Sequence, residues 1–280
     1  MSTSVDIALG SERGTIHGFC DEKFQPVLDE FTRNFLEREE QGASVSLNVE
    51  GETVVDLWGG RLHPRQGGDW QEDTISVVHS VTKAAVSLCA HLLIADGKLD
   101  LHAKVARYWP EFAVAGKEDV TVAMMLNHSA GLPALRKPIK DGGYLDWDYM
   151  TDRLAEEEPF WRPGTRHGYH MSTFGWTVGE LVRRASGLSL GEFFQRRVAQ
   201  PLGIDFHIGL PESEHHRVAR MMRWAPKKED LVSPYTVALL QSKESLQYIA
   251  LLNNGKFKTD APESYLCEYG AGGGIANGKG

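Results

Sequence analysis

Ser80 and Lys83, in the run Val77-Val78-His79-Ser80-Val81-Thr82-Lys83, are spaced for chemistry in this chain of 280 residues. A serine hydroxyl is a weak nucleophile until a neighbour takes its proton. A lysine can take it when burial and nearby positive charge leave the amine partly neutral. Positions i and i+3 share a helix face, so the two groups could touch if a helix begins near Ser80. The positive end of that helix would also favour charge developing on the oxygen. The spacing itself arises by chance about once in a chain of this composition, so the pair alone decides little. The alternative is that Ser80 only caps the helix, although a capping box would place Glu or Gln where this chain has Lys83.

The elements around the pair follow from periodicity. After Ser80, apolar residues at Ala84, Ala85, Leu88, Cys89, Leu92 and Leu93 predict a helix that Asp96-Gly97 stops. Before it, Val27, Leu28, Phe31, Phe35 and Leu36 predict a helix from Phe24, ended by Glu37-Arg38-Glu39-Glu40, a solvated charge run. Residues 45–49 and 53–58 alternate as two strands about a turn at Glu50-Gly51-Glu52, with Gly59-Gly60 closing the hairpin. A polar loop, 61–73, follows. Beyond the Ser80 helix, the signals to about His207 are mainly helical. They comprise a short helix at 122–126, broken by His128-Ser129-Ala130-Gly131-Leu132-Pro133, and a stripe at Phe174, Val178, Leu181, Val182 and Ala185, ended by Ser186-Gly187. Phe193, Phe194 and Val198 form a last stripe, stopped by Pro201. The stretch 270–280 is glycine-rich and of low complexity, and Asn277-Gly278-Lys279-Gly280 has no strand character. The expected class is α+β, an antiparallel sheet with flanking helices plus a helical domain. The whole chain reads as one domain, with residues 15–76 and about 241–280 in its α/β part and 77–240 mainly helical.

Composition sets outer limits. A net charge of −8 argues against a nucleic-acid partner or an anionic membrane surface, both of which favour basic patches. No apolar run is long enough to span a membrane. The N-terminal ten residues show no secretory or mitochondrial signal, and Cys20, Cys89 and Cys267 form neither a zinc pattern nor a disulfide framework, so the cytoplasm is the expected location. No His-Glu-x-x-His occurs. Glu212-Ser213-Glu214-His215-His216 reads as a solvated loop rather than a metal site, so no metal or cofactor is expected. His128 reads as a hydrogen-bonded structural residue, and His79, adjoining Ser80, does not share its helix face.

Ordered motifs give the pair its context. Asp96-Gly97-Lys98-Leu99-Asp100-Leu101, Tyr108-Trp109-Pro110-Glu111-Phe112 and Leu126-Asn127-His128-Ser129-Ala130-Gly131-Leu132 follow Ser80-Val81-Thr82-Lys83. Pro163-Gly164-Thr165-Arg166-His167-Gly168-Tyr169-His170 and Pro201-Leu202-Gly203-Ile204 come after them. In this order, over roughly residues 15–275, the chain resembles the β-lactamase-related serine hydrolases: class C β-lactamases, penicillin-binding proteins and carboxylesterases of the same fold. The resemblance implies a β-lactamase/transpeptidase-like fold with Ser80 as nucleophile, Lys83 as its activating partner and Tyr169 as the tyrosine that moves the proton. It implies a small ester or amide as substrate, with a homo-oligomer possible. On the residues alone, the alternative for Tyr169 is a wall or core aromatic with a satisfied hydroxyl.

Two departures from the family pattern stand out. Where class C enzymes have Tyr-x-Asn this chain has Tyr169-His170-Met171, which favours esterase or peptidase-like action over lactamase action. A third motif of Lys/His/Trp-x-Gly type, which lines the far wall and supplies one oxyanion donor, is not found. His207-Ile208-Gly209 and Asn277-Gly278-Lys279-Gly280 are its weak candidates. The expectation is a chain whose C-terminal sheet strands are missing, a fragment or a degenerate paralogue, with the 45–58 hairpin left without partner strands. Loss of one oxyanion donor costs about 2.7–4 kcal/mol. The competing expectation is a catalytically impaired paralogue that serves as a binding or assembly module.

Overall fold

Two strands that apolar periodicity does not announce open the chain: β1 (Ser2–Ala8) and β2 (Thr15–Asp21). The computed structural model that shows them describes residues 2–63, 67–222 and 233–280. Helix α1 (Gln25–Glu37) follows, and buries Leu28, Phe31 and Phe35 as its spacing requires. Strands β3 (Gly42–Val49) and β4 (Glu52–His63) then form the expected hairpin.

The hairpin does not stand alone. The sheet order is β1-β2-β4-β3, with Ile16 opposite Gly59 and Cys20 opposite Val55. The expectation of a hairpin without partner strands is therefore corrected by strands from the N-terminal side. Gly59-Gly60 does not close the hairpin either, because β4 runs through both to His63. Glycine serves close approach here: a side chain at 59 would lie 2.6 Å from the carbonyl oxygen of Thr15. The predicted 61–73 loop contains β5 (Gly67–Asp69), which pairs with β4, while its residues 64–66 lie outside the described residues. So do residues 223–232 of the span read as mainly helical.

Strand β6 (Ser76–His79) leads through Ser80-Val81 into α2 (Thr82–Ala95), and Asp96 and Gly97 end that helix as predicted. Next come α3 (Val122–Leu126), α4 (Trp147–Glu156) and α5 (Thr173–Ser186). Val86, Cys89, Ala90 and Leu93 of α2 join Phe174, Val178, Leu181 and Val182 of α5 in the largest core. Burying side chains of this size contributes about 1.5–3 kcal/mol each. Helix α6 (Leu190–Phe194) runs through a π-turn at Gln195–Ala199 into α7 (Gln200–Leu202). Pro201 is thus inside a helical turn, where a first-turn proline has no amide to lose. Gly203 provides the stop.

The remaining elements are β7 (Phe206–His207), α8 (Pro234–Gln241), α9 (Leu246–Leu252), α10 (Pro262–Tyr265) and β8 (Gly274–Ala276). The glycine-rich stretch is a structural centre: β8 is the middle strand of a second sheet, β6-β8-β7. Its glycines are there for contact. A side chain at 274 would meet Thr82 Oγ1 at 2.5 Å and the Phe206 ring at 2.8 Å. The Glu212–Arg217 segment is a 3-10 turn whose charges are engaged locally, with Glu214 on Arg217 at 2.7 Å and His216 on the carbonyl of Ser213 at 2.8 Å.

Candidate active site

Ser80 stands at the junction between a strand and a helix. His79, the last residue of β6, has φ +46°, a left-handed conformation that costs a non-glycine residue of order 1–2 kcal/mol. A bulge at Val77/His79 accompanies it, and the chain turns so that Ser80 is exposed just ahead of α2. The helix starts at Thr82 with Val81 as its cap residue, and Ser80 makes no capping bond. A backbone bond from Lys83 N–H to the Ser80 carbonyl, 3.1 Å, closes the turn and brings the two side chains together. Thr82 fastens this turn to the second sheet. Its hydroxyl donates to the His79 carbonyl at 2.5 Å and accepts from Gly274 N–H at 2.8 Å.

The structure brings all three predicted residues together. Lys83 Nζ donates to Ser80 Oγ at 3.2 Å, and the Tyr169 hydroxyl donates to the same oxygen at 2.8 Å. Lys83 is 7% exposed, and its remaining donors go to the carbonyls of Met171 (2.8 Å) and Ala271 (2.6 Å). Its ammonium lies 4.7 Å from the centre of the Tyr169 ring. Burial pushes the lysine pKa below its ordinary value, against the opposing pull of the Tyr169 hydroxyl. For Tyr169, burial acts to raise the phenol, but its bonds to Ser80 and Lys83 and the charge of Lys83 outweigh that and leave it below its ordinary value. With both protonated, both donate to Ser80 Oγ and stabilise negative charge there. Deprotonation of either makes that group the acceptor for the serine proton.

Ser80 opens into a cavity of about 360 Å³. Its lining includes Tyr144, Met171, Ser172 and Tyr269, and also Leu251, Asn254, Phe257 and Thr259. Three tyrosines line it, and their environments separate them. Burial pushes the phenol of Tyr144 up to about 12 and that of Tyr269 higher still, so both stay protonated. Tyr169, 50% exposed and beside the lysine, is the one shifted downward.

Sequence reasoning missed four contributors. The carbonyls of Met171 and Ala271 hold the lysine, Thr82 ties β8 to the nucleophile turn, and His170 braces the tyrosine's loop. His170 is 1% exposed; its Nε2 accepts from Leu132 N–H at 2.9 Å, and its Nδ1 lies 2.5 Å from the Gly168 carbonyl. Burial lowers its pKa to about 4, so the ring is neutral. A backbone carbonyl leaves no trace in residue type, but the glycine run beside Ala271 was a usable signal of close approach. The third-wall candidates do not line the Ser80 cavity. His207 is in β7, bonded to Asp205 at 3.0 Å, and Lys279 is bound to Asp56 and Glu72 at 2.8 Å each. Among the described residues, no three His, Cys, Asp or Glu side chains converge as a metal site, and no helix is long and apolar enough to cross a membrane.

Helices flanking antiparallel sheets, with a serine just ahead of a core-packed helix and a lysine in its first turn, define a protein of the β-lactamase/transpeptidase-like fold. Comparison with solved structures agrees. A family VIII carboxylesterase superimposes with a TM-score of 0.81 at 38% identity, over 94% of this chain and 68% of its own. A penicillin-binding protein homologue from Caulobacter crescentus gives 0.81 at 33%, with the same coverage. The Beta-lactamase family profile matches residues 28–279, and the chain belongs to that family. Among curated relatives, the esterase/beta-lactamase LipL of Mycobacterium tuberculosis is 33% identical over 200 residues, 71% of this chain and 46% of its own length. Esterase EstB of Burkholderia gladioli is 32% identical over 191 residues, 62% of this chain and 48% of its own length. The chain thus spans about half the length of these two curated relatives.

Proposed function

We propose that this chain carries the nucleophile and proton-transfer groups of a serine hydrolase acting on a small ester or amide. One observation carries the reading: Ser80 Oγ lies within hydrogen-bond distance of both the Lys83 amine and the Tyr169 hydroxyl. In this mechanism Ser80 Oγ attacks the substrate carbonyl carbon while its proton passes to the Lys83–Tyr169 pair. The tetrahedral adduct expels the leaving group, which takes up that proton, and an acyl ester remains on Ser80. Water, deprotonated by the same pair, then attacks the ester carbonyl, and the acid leaves as Ser80 regains its proton. Met171, where lactamases of this family carry an amide, and the esterases among the relatives favour an ester substrate. A binding or assembly module has no need of a lowered phenol beside a serine hydroxyl. The three cysteines, each a free thiol that burial keeps protonated, suit a reducing compartment, and the cytoplasm is the proposed location.

The test is direct. A fluorophosphonate probe or p-nitrophenyl butyrate should leave an adduct on Ser80, found by mass spectrometry of the intact protein and its peptides. Ser80→Ala should carry none and lose roughly 10⁶-fold in turnover, the scale on which serine hydrolases fail without their nucleophile. Folded wild-type protein without a Ser80 adduct overturns the reading.

A further inference from the structure

Tyr169 reaches Ser80 from a stretch without regular secondary structure, and it is half-exposed, so packing alone does not hold its ring. A single residue fastens the amides on both sides of it. The carbonyl of His128 accepts from Gly168 N–H at 3.2 Å, and His128 Nδ1 accepts from His170 N–H at 3.1 Å. The His128 ring also lies against the Tyr169 ring, with centroids 5.1 Å apart. His128 itself has φ +64°, in the left-handed region that only a few residue types besides glycine enter readily. Its turn is held by Asn127, whose Oδ1 accepts from Ser129 N–H at 3.1 Å and from the Ser129 hydroxyl at 2.6 Å. The return links are Leu132 N–H to His170 Nε2 and the Thr173 hydroxyl to the Leu132 carbonyl, 2.6 Å.

We propose that His128 is the positioning residue of Tyr169: by clamping the backbone before and after the tyrosine, it holds the phenol on Ser80 Oγ. The proposal rests on the reading of Ser80, Lys83 and Tyr169 as the reacting groups. It requires a neutral imidazole with its proton on Nε2, because Nδ1 must accept. Burial lowers the His128 pKa, and the charges of Lys83 and His167 lower it further, which favours that form. His128 touches no reacting atom. Its contribution is the geometry of a proton-transfer group, a kind of group typically worth about 10²–10⁴-fold.

Three variants separate positioning from general support. In His128→Asn, Oδ1 falls where Nδ1 was, and asparagine tolerates the left-handed backbone. In His128→Gln the amide lies one atom too far out, and in His128→Ala there is no side-chain acceptor for His170 N–H. With p-nitrophenyl butyrate, Ala and Gln should lose about 100-fold in kcat with KM nearly unchanged, whereas Asn stays within about tenfold of wild type. In a Tyr169→Phe background, His128→Ala should cost nothing further. Independently of turnover, the ¹³Cζ resonance of Tyr169 should titrate below the ordinary tyrosine range in wild type and in His128→Asn, and return toward it in His128→Gln. Full additivity with Tyr169→Phe, equal losses for folded Asn and Gln variants, or an unmoved titration in Gln each overturns the proposal. Wild type that forms no Ser80 adduct but shows the expected titrations would sink the hydrolase reading and leave the clamp standing.

Discussion

Among the described residues two lysines are buried, each on two carbonyls and beside an aromatic ring, and one of them belongs to the candidate site. Lys83 donates to the carbonyls of Met171 and Ala271 and lies over the Tyr169 ring. Lys117, fully buried, donates to the carbonyls of Val114 (2.9 Å) and Glu157 (2.6 Å) and lies 5.1 Å from the centre of the Phe112 ring. Burial lowers the pKa of both. Two carbonyls and an aromatic face are therefore what a buried ammonium needs in order to exist, and do not mark an active site. Two things differ: the charges of Glu118, Glu157 and Glu158 act on Lys117, whereas Lys83 has Ser80 Oγ as its third partner and a tyrosine where Lys117 has a phenylalanine.

Removing each lysine is the strongest way to break this comparison. Lys83→Met should cut acylation of Ser80 by on the order of 10⁴-fold, and Lys83→Arg should do no better, because a guanidinium does not give up its proton. Stopped-flow acylation with p-nitrophenyl butyrate measures both, and near-normal rates for either would remove Lys83 from the proton path. Tyr169→Phe sharpens the contrast by giving Lys83 the kind of ring that Lys117 has. Acylation should fall about 10²-fold while the melting temperature stays within a few degrees; a variant that loses stability but not rate would make Tyr169 a wall residue.

Lys117→Met should act in the opposite sense. The carbonyls of Val114 and Glu157 lose their shared donor, at a cost of about 1–3 kcal/mol in urea unfolding, with the acylation rate unchanged. A large loss of rate in a folded Lys117→Met protein would mean that the two pockets are coupled. The smallest effect is a titration. The Tyr169 hydroxyl and its charge hold the Lys83 pKa up against burial, so Tyr169→Phe should lower Lys83 further, whereas Lys117 should not move. Lysine ¹³Cε shifts followed against pH report both midpoints, and a rise for Lys83 would reverse the assigned electrostatics.

The parts of the fold that were legible are those with a long or local signal. Helices α1, α2 and α5 repeat their apolar residues over several turns, and α3 is bounded by Thr121, whose side chain accepts from Met124 N–H, and by the break at His128. The 45–58 hairpin carries its own turn. The missed strands are β1, β2, β5, β6, β7 and β8; the last four are two to four residues long, and β6, β7 and β8 pair only with segments distant in sequence. Nothing within Gly274–Ala276 says that Ser76–His79 waits to pair with it. Pro201 was misread because proline stops a helix in its interior but not in a first turn, and the π-turn before it makes a new first turn.

The sequence alone determined the types and spacing of Ser80 and Lys83, because residues three apart meet wherever the backbone makes a helical turn, as it does from Ser80 to Lys83. It also determined which faces of α2 and α5 are buried. Only the tertiary structure decided that Tyr169, 89 residues from Ser80, closes on the same oxygen, and that the carbonyl of Ala271, 188 residues from Lys83, holds the amine. Contacts of that kind depend on how the chain returns on itself, and a carbonyl is the same group at every residue, so no residue type could announce them.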